Sequence, residues 1–318
     1  FQYFETTLFP RIRSKVELPH GMHPSFVWTE ITSYIKGSAE AMQSEDGCLS
    51  LEAYLAFGRK RSDMSESNRR AVHEAFTCYQ NLCSARGLFD QGDLVFSCHR
   101  RLAQFGRGGI SWHEIFADEV QDFTQAELYL MIQLNLDPNG LFLAGDTAQT
   151  IARGVGFRFA DIRTLFHEAE TWRAKHAKHR TKIHIPKPIS LAHNYRSHTG
   201  VLRLAATVVH WIYEFFPGAI DQLPPDQGLL DGPKPLILDC KNTSELSMLL
   251  LGNQRATEQI EFGAHQAVLV RNEEARRQLP EELQASAITL KMTSSGSPTS
   301  RSSRSILRCS SKCCSWAS

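Results

Sequence analysis

The chain has 318 residues, a length that fits roughly two domains of about 150 residues each. Its 42% hydrophobic and 22% charged content is that of a globular protein. A net charge of +1 excludes a global electrostatic footprint for nucleic acid, so a polyanion site must be a local patch.

No apolar run reaches the roughly 18 residues that a membrane span needs. The richest stretch, Val201 to Phe216, is broken by Arg203, His210 and Glu214. The first residues, Phe1-Gln2-Tyr3-Phe4-Glu5, lack the charged start and apolar core of a secretory signal. Phe1 is not an initiator Met, and the expectation is a chain that begins inside a longer protein. None of the eight cysteines forms a CxxC pair with a matching partner pair, so no zinc site is expected. They read as reduced thiols of a cytoplasmic or nuclear protein.

In chain order, residues 1–104 read as helical. Trp28 to Met42, Leu49 to Phe57 and Asn68 to Leu82 carry apolar residues at helical spacing, with Ser67 the predicted N-cap of the third. Arg59-Lys60-Arg61 reads as a solvated loop. Asp93 to Leu102 is a further helix, ending before Gly106-Arg107-Gly108-Gly109. Short apolar runs then alternate with helical stretches. Ile110–Ala117, Leu141–Ala144, Ser190–His193, Pro235–Asp239 and Ala267–Arg271 are predicted strands. Thr124–Leu134, Asp161–Ala174, Thr199–Phe216 and Glu245–Phe262 are predicted helices. Such alternation predicts an α/β fold with a parallel sheet covered on both faces. Pro217 to Pro235 is a predicted loop. From Thr293 to Ser318 the chain holds 11 Ser in 26 residues and no acidic residue, a composition expected to be disordered. A natural Ser/Arg tail and a displaced reading frame both account for it.

Three strings carry chemistry. Ile115 to Ala117 is apolar and ends in Asp118-Glu119-Val120-Gln121-Asp122. In an open parallel sheet, ligands bind beyond the carboxyl ends of the strands. One carboxylate there can hold Mg²⁺ through its waters, and its neighbour can orient or deprotonate an attacking water. Leu141-Phe142-Leu143-Ala144 likewise ends in Gly145-Asp146-Thr147-Ala148-Gln149, where Gly145 permits a sharp turn and Gln149 can bond a phosphate oxygen or a water. Leu191-Ala192-His193 leads into Asn194-Tyr195-Arg196-Ser197, where the guanidinium of Arg196 matches phosphate oxygens. Each string alone has an ordinary reading as a solvated strand end.

In this order and spacing they resemble motifs II, III and IV of the UvrD/Rep-like superfamily 1 helicases, whose patterns are DExQD, GDxxQ and NYRS. Phe157-Arg158-Phe159-Ala160-Asp161, Leu88 to Leu94, and Ala267 to Asn272 look like three further segments of that family. Within it, residues 145–163 look closest to the large TPR- and ankyrin-repeat-containing helicase-like proteins. The resemblance implies a RecA-like sheet of the P-loop NTPase type, incomplete here, using ATP and Mg²⁺ on single-stranded DNA or RNA. It implies a helical insertion over 1–104, the second half of one RecA-like lobe over 105–188, the start of a second lobe over 189–290, and the tail from 291 to 318. By the same resemblance Asp118 coordinates Mg²⁺, Glu119 is the catalytic base, Gln149 senses the γ-phosphate and Arg196 contacts it from the second lobe. Gln121, Asp146 and Tyr195 attend the nucleotide, with Gln121 coupling its state to the lobe interface. Phe157 and Arg158 lie near the strand track. Repeats outside this chain imply protein partners, and no membrane is implied.

The chain departs from the pattern in three places. It contains no G-x-x-x-x-G-K-[ST] phosphate loop, which in the family lies upstream of the helical insertion. No motif V or VI string follows Arg271. Ala152 stands where the family has a base-stacking aromatic, a contact worth roughly 1–3 kcal/mol per base. A basic stretch without acidic residues runs through Arg173, Lys175, Lys178, Arg180, Lys182 and Lys187, with His176, His179 and His184. It reads as a solvated linker or a phosphate contact. The expected function is part of an ATP-dependent helicase or translocase, inactive as this chain alone. The alternative is a helicase-derived interaction module within a large repeat protein.

Overall fold

The computed structural model describes residues 1–58, 64–106, 112–137, 139–150, 155, 158–176, 183–184, 187–217, 219–237, 267–270, 274–275, 277, 290–293 and 305–309. Two compact units divide the chain, Phe1–Pro233 and Lys234–Ser318.

The first unit opens with helices. A π-helical turn, Phe4–Leu8, runs into α1 (Phe9–Arg13), where Pro10 sits in the first turn and its missing N–H costs nothing. α2 (Pro24–Thr29) continues as a π-helix over Glu30–Ile35, followed by α3 (Ala39–Met42) and α4 (Leu51–Gly58). α5 (Glu66–Ser84) buries Val72, Ala75, Phe76, Tyr79 and Cys83, whose spacing puts them on one face. Its N-cap is Ser65, not the expected Ser67. Ser65 has the extended backbone a cap requires, and its hydroxyl accepts the Asn68 N–H at 3.3 Å. α6 (Gln91–Phe105) starts in a reciprocal capping box, Asp90 accepting from the Asp93 N–H and Asp93 from the Asp90 N–H.

An ion cluster fixes this helical region. Lys36 is buried and donates to Asp90 and Asp93 at 2.6 Å each, while the Tyr79 hydroxyl donates to Asp90 at 2.8 Å. Burial pushes the Asp90 carboxyl upward, but the Lys36 ammonium and the hydrogen bonds outweigh it and hold the group below the usual carboxylate range. Glu30 shows the opposite balance. Its burial outweighs the Tyr54 hydroxyl and the Arg69 charge, and its carboxyl is raised.

Beyond residue 112 strands and helices alternate: β1 (Ile115–Ala117), α7 (Gln125–Leu134), β2 (Leu141–Leu143) and α8 (Phe159–His176). β1 is shorter than the predicted strand. Trp112 makes only an isolated bridge to Asn135, and residues 110–111 lie outside those described. Thr124 and Glu127 form a capping box that starts α7, the crossover joining β1 to its parallel neighbour β2. Strand alternation splits their side chains. Ala117, Leu141 and Leu143 pack against the core, while Phe116 and Phe142 lie exposed with ring centroids 5.8 Å apart. A second parallel pair joins β3 (His193–Asn194) to β4 (Gln227–Gly228), with α9 (Thr199–Phe215) between them. β4 lies inside the predicted 217–235 loop, and β3 begins three residues later than predicted.

One hydrophobic cluster extends from Phe4 to Ile183, so residues on both sides of 104 share a core. The architecture is mixed, mainly helical, with small parallel sheets. A complete RecA-like sheet is not among the described residues.

In the second unit, β5 (Ala267–Val270), β6 (Leu290–Thr293) and β7 (Ser305–Cys309) form an antiparallel sheet of order β5-β7-β6. This corrects the expected parallel continuation. Parallel neighbours need a crossover of a dozen or more residues, and only residues 294–304 separate β6 from β7. β7 falls in the tail where no structure was expected; the rest of the tail beyond β6 lies outside the described residues. So does the predicted helix over 245–262. Residues 235–237 form no strand. Among the described residues no helix is long and apolar enough to cross a membrane.

Candidate functional site

The carboxyl ends of β1 and β2 lie side by side because the two strands are parallel and in register. The Ala144 N–H donates to the Ala117 carbonyl at 2.9 Å, and the Val120 N–H to the Ala144 carbonyl at 3.0 Å. These bonds carry the pairing one step past each strand. They bring Asp118-Glu119-Val120-Gln121 against Ala144-Gly145-Asp146.

Glu119 makes the turn. Its φ of 54° and ψ of 40° place it in the left-handed region, and it is the non-glycine residue with positive φ among those described. Such a backbone costs of order 1–3 kcal/mol and persists only where its surroundings hold it. Two contacts do so. The Glu119 N–H donates to Asp118 Oδ1 at 2.9 Å, and the Gln121 side-chain amide donates to Glu119 Oε2 at 2.5 Å. The turn leaves both Asp118 and Glu119 exposed at the strand end.

Gln121 is the hub. It is 1% exposed, and both ends of its amide are engaged: Nε2 donates to Glu119, and Oε1 accepts the Asp146 N–H at 3.0 Å. Its close seat explains Gly145. A Cβ there would lie 2.5 Å from Gln121 Oε1 and 2.9 Å from Val120 Cγ2. Asp146 passes the connection on. Its Oδ1 accepts the Ala148 N–H at 2.9 Å, and its Oδ2 accepts from Gln149 Nε2 at 2.7 Å. Glu119, Gln121, Asp146 and Gln149 thus form a single hydrogen-bonded relay. The sequence singled out all four. That Gln121 is a buried bridge between the two strand ends is visible only in the fold.

Asp118 keeps its Oδ2 clear of hydrogen bonds among the described residues, a hard oxygen donor of the kind Mg²⁺ takes. No group of three or more His, Cys, Asp or Glu side chains that could hold a metal exists among the described residues. That donor set fits an ion that keeps its waters and shares phosphate oxygens, and it does not fit a closed protein cage.

The third string stands apart. Asn194 Oδ1 accepts the N–H groups of Arg196 and Ser197 at 3.0 and 2.9 Å, and its own amide donates to Asp226 at 3.0 Å. This Asx-type turn fixes the backbone and leaves the side chains free. Tyr195 is 82% exposed, and Arg196 is exposed with no hydrogen bond or ion pair to the Asp118 and Glu119 carboxylates. Arg158 is exposed at the rim of a cleft of about 970 Å³, which is also lined by Tyr34, Phe57, Thr147, Thr150 and Ile212. Arg173 and Lys175 lie on α8, while Phe157, Lys178, Arg180 and Ala152 lie outside the described residues.

Sequence reasoning missed Asp221. Its N–H donates to the Thr147 hydroxyl and its carboxylate accepts the Phe159 N–H, each at 3.0 Å, so one loop residue joins the β2 turn to the start of α8. Asp221 sits in an aperiodic Pro- and Gly-rich stretch that carries no signal for it.

Residues 29–172 match the model of the UvrD/REP helicase N-terminal domain, so the part of the chain that holds the relay is similar to that helicase family. The match ends before Asn194-Tyr195-Arg196. The chain is also similar to TPR and ankyrin repeat-containing protein 1 of Homo sapiens, at 43% identity over 284 residues that make up 89% of this chain. It spans only 10% of that protein's length.

Proposed function

We propose that this chain is part of an ATP-dependent helicase or translocase motor, in which ATP hydrolysis drives movement along single-stranded DNA or RNA. The observation that carries this reading is the relay. The Gln121 amide bonds the Glu119 carboxylate and the Asp146 backbone N–H, the Asp146 carboxylate bonds Gln149, and Asp118 beside them keeps Oδ2 open. In this reading Asp118 holds Mg²⁺ through its waters, and the ion, when bound with ATP, neutralises charge on the phosphates. Glu119, aimed by Gln121, accepts the proton of the attacking water. Gln149 contacts the γ-phosphate, so that its bond to Asp146 connects phosphate occupancy to the base. Arg196, unengaged on its own strand pair, reaches the same phosphate when the lobes close. Asp146 and Gln121 position these groups and do not touch the nucleotide. Arg158, Arg173, Lys175, Lys178 and Arg180, with Phe157, contact the nucleic-acid strand.

The string G-x-x-x-x-G-K-[ST], whose amides and lysine neutralise the β- and γ-phosphates, does not occur in these 318 residues. Donors of this kind are each worth roughly 10²- to 10³-fold in rate. The chain alone should therefore turn over ATP at background. Robust turnover by the purified chain, abolished by Glu119→Gln, contradicts that part of the reading. The nucleic-acid part is tested by fluorescence anisotropy with labelled single strands. Affinity should fall steeply between about 50 and 200 mM salt, and Arg158→Ala should weaken it. A flat salt response, or no binding at low salt, overturns it.

A further inference from the structure

α9 has more apolar surface than its own unit covers. Leu202 is buried and Ala206, Val209, Ile212 and Tyr213 are half-buried, which defines the inward side. A second apolar row, Val201, Leu204, Val208, Trp211 and Phe215, faces outward at 42% to 73% exposure. Its spacing alternates three and four residues, the a/d repeat with which one helix seats its side chains between those of another. The polar residues Arg203, Thr207, His210 and Glu214 follow their own row, at steps of three and four residues. A helix that is apolar on nearly every side is normally buried on nearly every side.

We propose that this outward row is a self-association surface, on which α9 packs antiparallel against α9 of a second copy of this chain. Two features of the row are self-complementary about its midpoint, Val208. The aliphatic side chains Val201 and Leu204 lie at one end of the row and the larger aromatic Trp211 and Phe215 at the other. An antiparallel partner therefore sets Val201 against Phe215 and Leu204 against Trp211, so that each outer layer pairs an aliphatic side chain with an aromatic one. Charge follows the same symmetry. Arg203 lies five residues before Val208 and Glu214 six after it, so a two-fold axis at Val208 brings Arg203 of each copy to Glu214 of the other. A parallel pair would face Trp211 with Trp211 and would put the polar rows of the two copies on opposite sides of the seam, so that Arg203 of one copy could not reach Glu214 of the other.

The test is sedimentation velocity of the full 318-residue chain across a concentration series. The wild type should reach dimer at concentrations on the order of tens of micromolar, a short interface giving modest affinity. Val208→Glu places two carboxylates on the axis and should leave a monomer with an unchanged circular dichroism spectrum, since the site is exposed. Arg203→Glu and Glu214→Arg should each weaken association about tenfold, because each turns two attractive pairs into two repulsive ones. An equimolar mixture of these two variants should restore it, since both cross-pairs are again opposite in charge. A wild type that stays monomeric throughout, or a Val208→Glu chain that still dimerises, overturns the proposal. Failure of the mixture to recover overturns the antiparallel register on which it rests.

Discussion

The two parallel strand pairs end in different ways. At β1 and β2 the polar residues are spent on one another: Gln121 bonds Glu119 and the Asp146 backbone, and Asp146 bonds Gln149. At β3 the side chain that shapes the turn is Asn194, and it bonds backbone, leaving Arg196 and Tyr195 in solvent. The first end is organised before any ligand arrives. The second offers an exposed cation on a fixed stem. A site assembled from one preset half and one approaching half gains orientation from the first and dependence on conformation from the second.

That contrast predicts a graded set of stability effects. Gln121→Leu should cost most, about 2–3 kcal/mol, since it strips the Asp146 N–H of its buried acceptor and removes one of the two contacts that hold the left-handed Glu119. Equilibrium urea denaturation reads this directly, and a loss below about 0.5 kcal/mol would mean that the two strand ends do not depend on the bridge. Gly145→Ala should come next, at roughly 1–3 kcal/mol, because its Cβ would press on Gln121 Oε1 and Val120. Asn194→Ala should cost about 1 kcal/mol for its two turn bonds. Arg196→Ala should stay within about 0.5 kcal/mol of wild type, as its exposed guanidinium holds nothing in the fold. A large loss there would erase the difference between the two ends.

Much of the helical region could be read ahead of the structure, since α5 and α6 follow apolar spacing and polar caps that act locally. The strands were harder. Apolar runs such as Ile110 to Ala117 mark where a strand can form, but its length is set by where a neighbour supplies hydrogen bonds. β3 illustrates this, as its partner among the described residues is β4, hidden in a predicted loop. The site residues were visible as types in a pattern. Their division of labour was not, because it depends on which side chain the turn at Glu119 directs inward. Nothing local distinguishes Gln121, which is buried, from Gln149, which is exposed.

The bridge at Gln121 is tested most directly by a double-mutant cycle with Gly145, the residue that leaves room for it. If the amide occupies the space beside Gly145, Gly145→Ala should be costly in the wild-type chain and cheaper once Gln121 is Ala, the cost that remains being the contact with Val120. The non-additivity should be at least about 1 kcal/mol. Additive effects, with Gly145→Ala equally costly in both backgrounds, would show that Gln121 does not sit between the two strand ends.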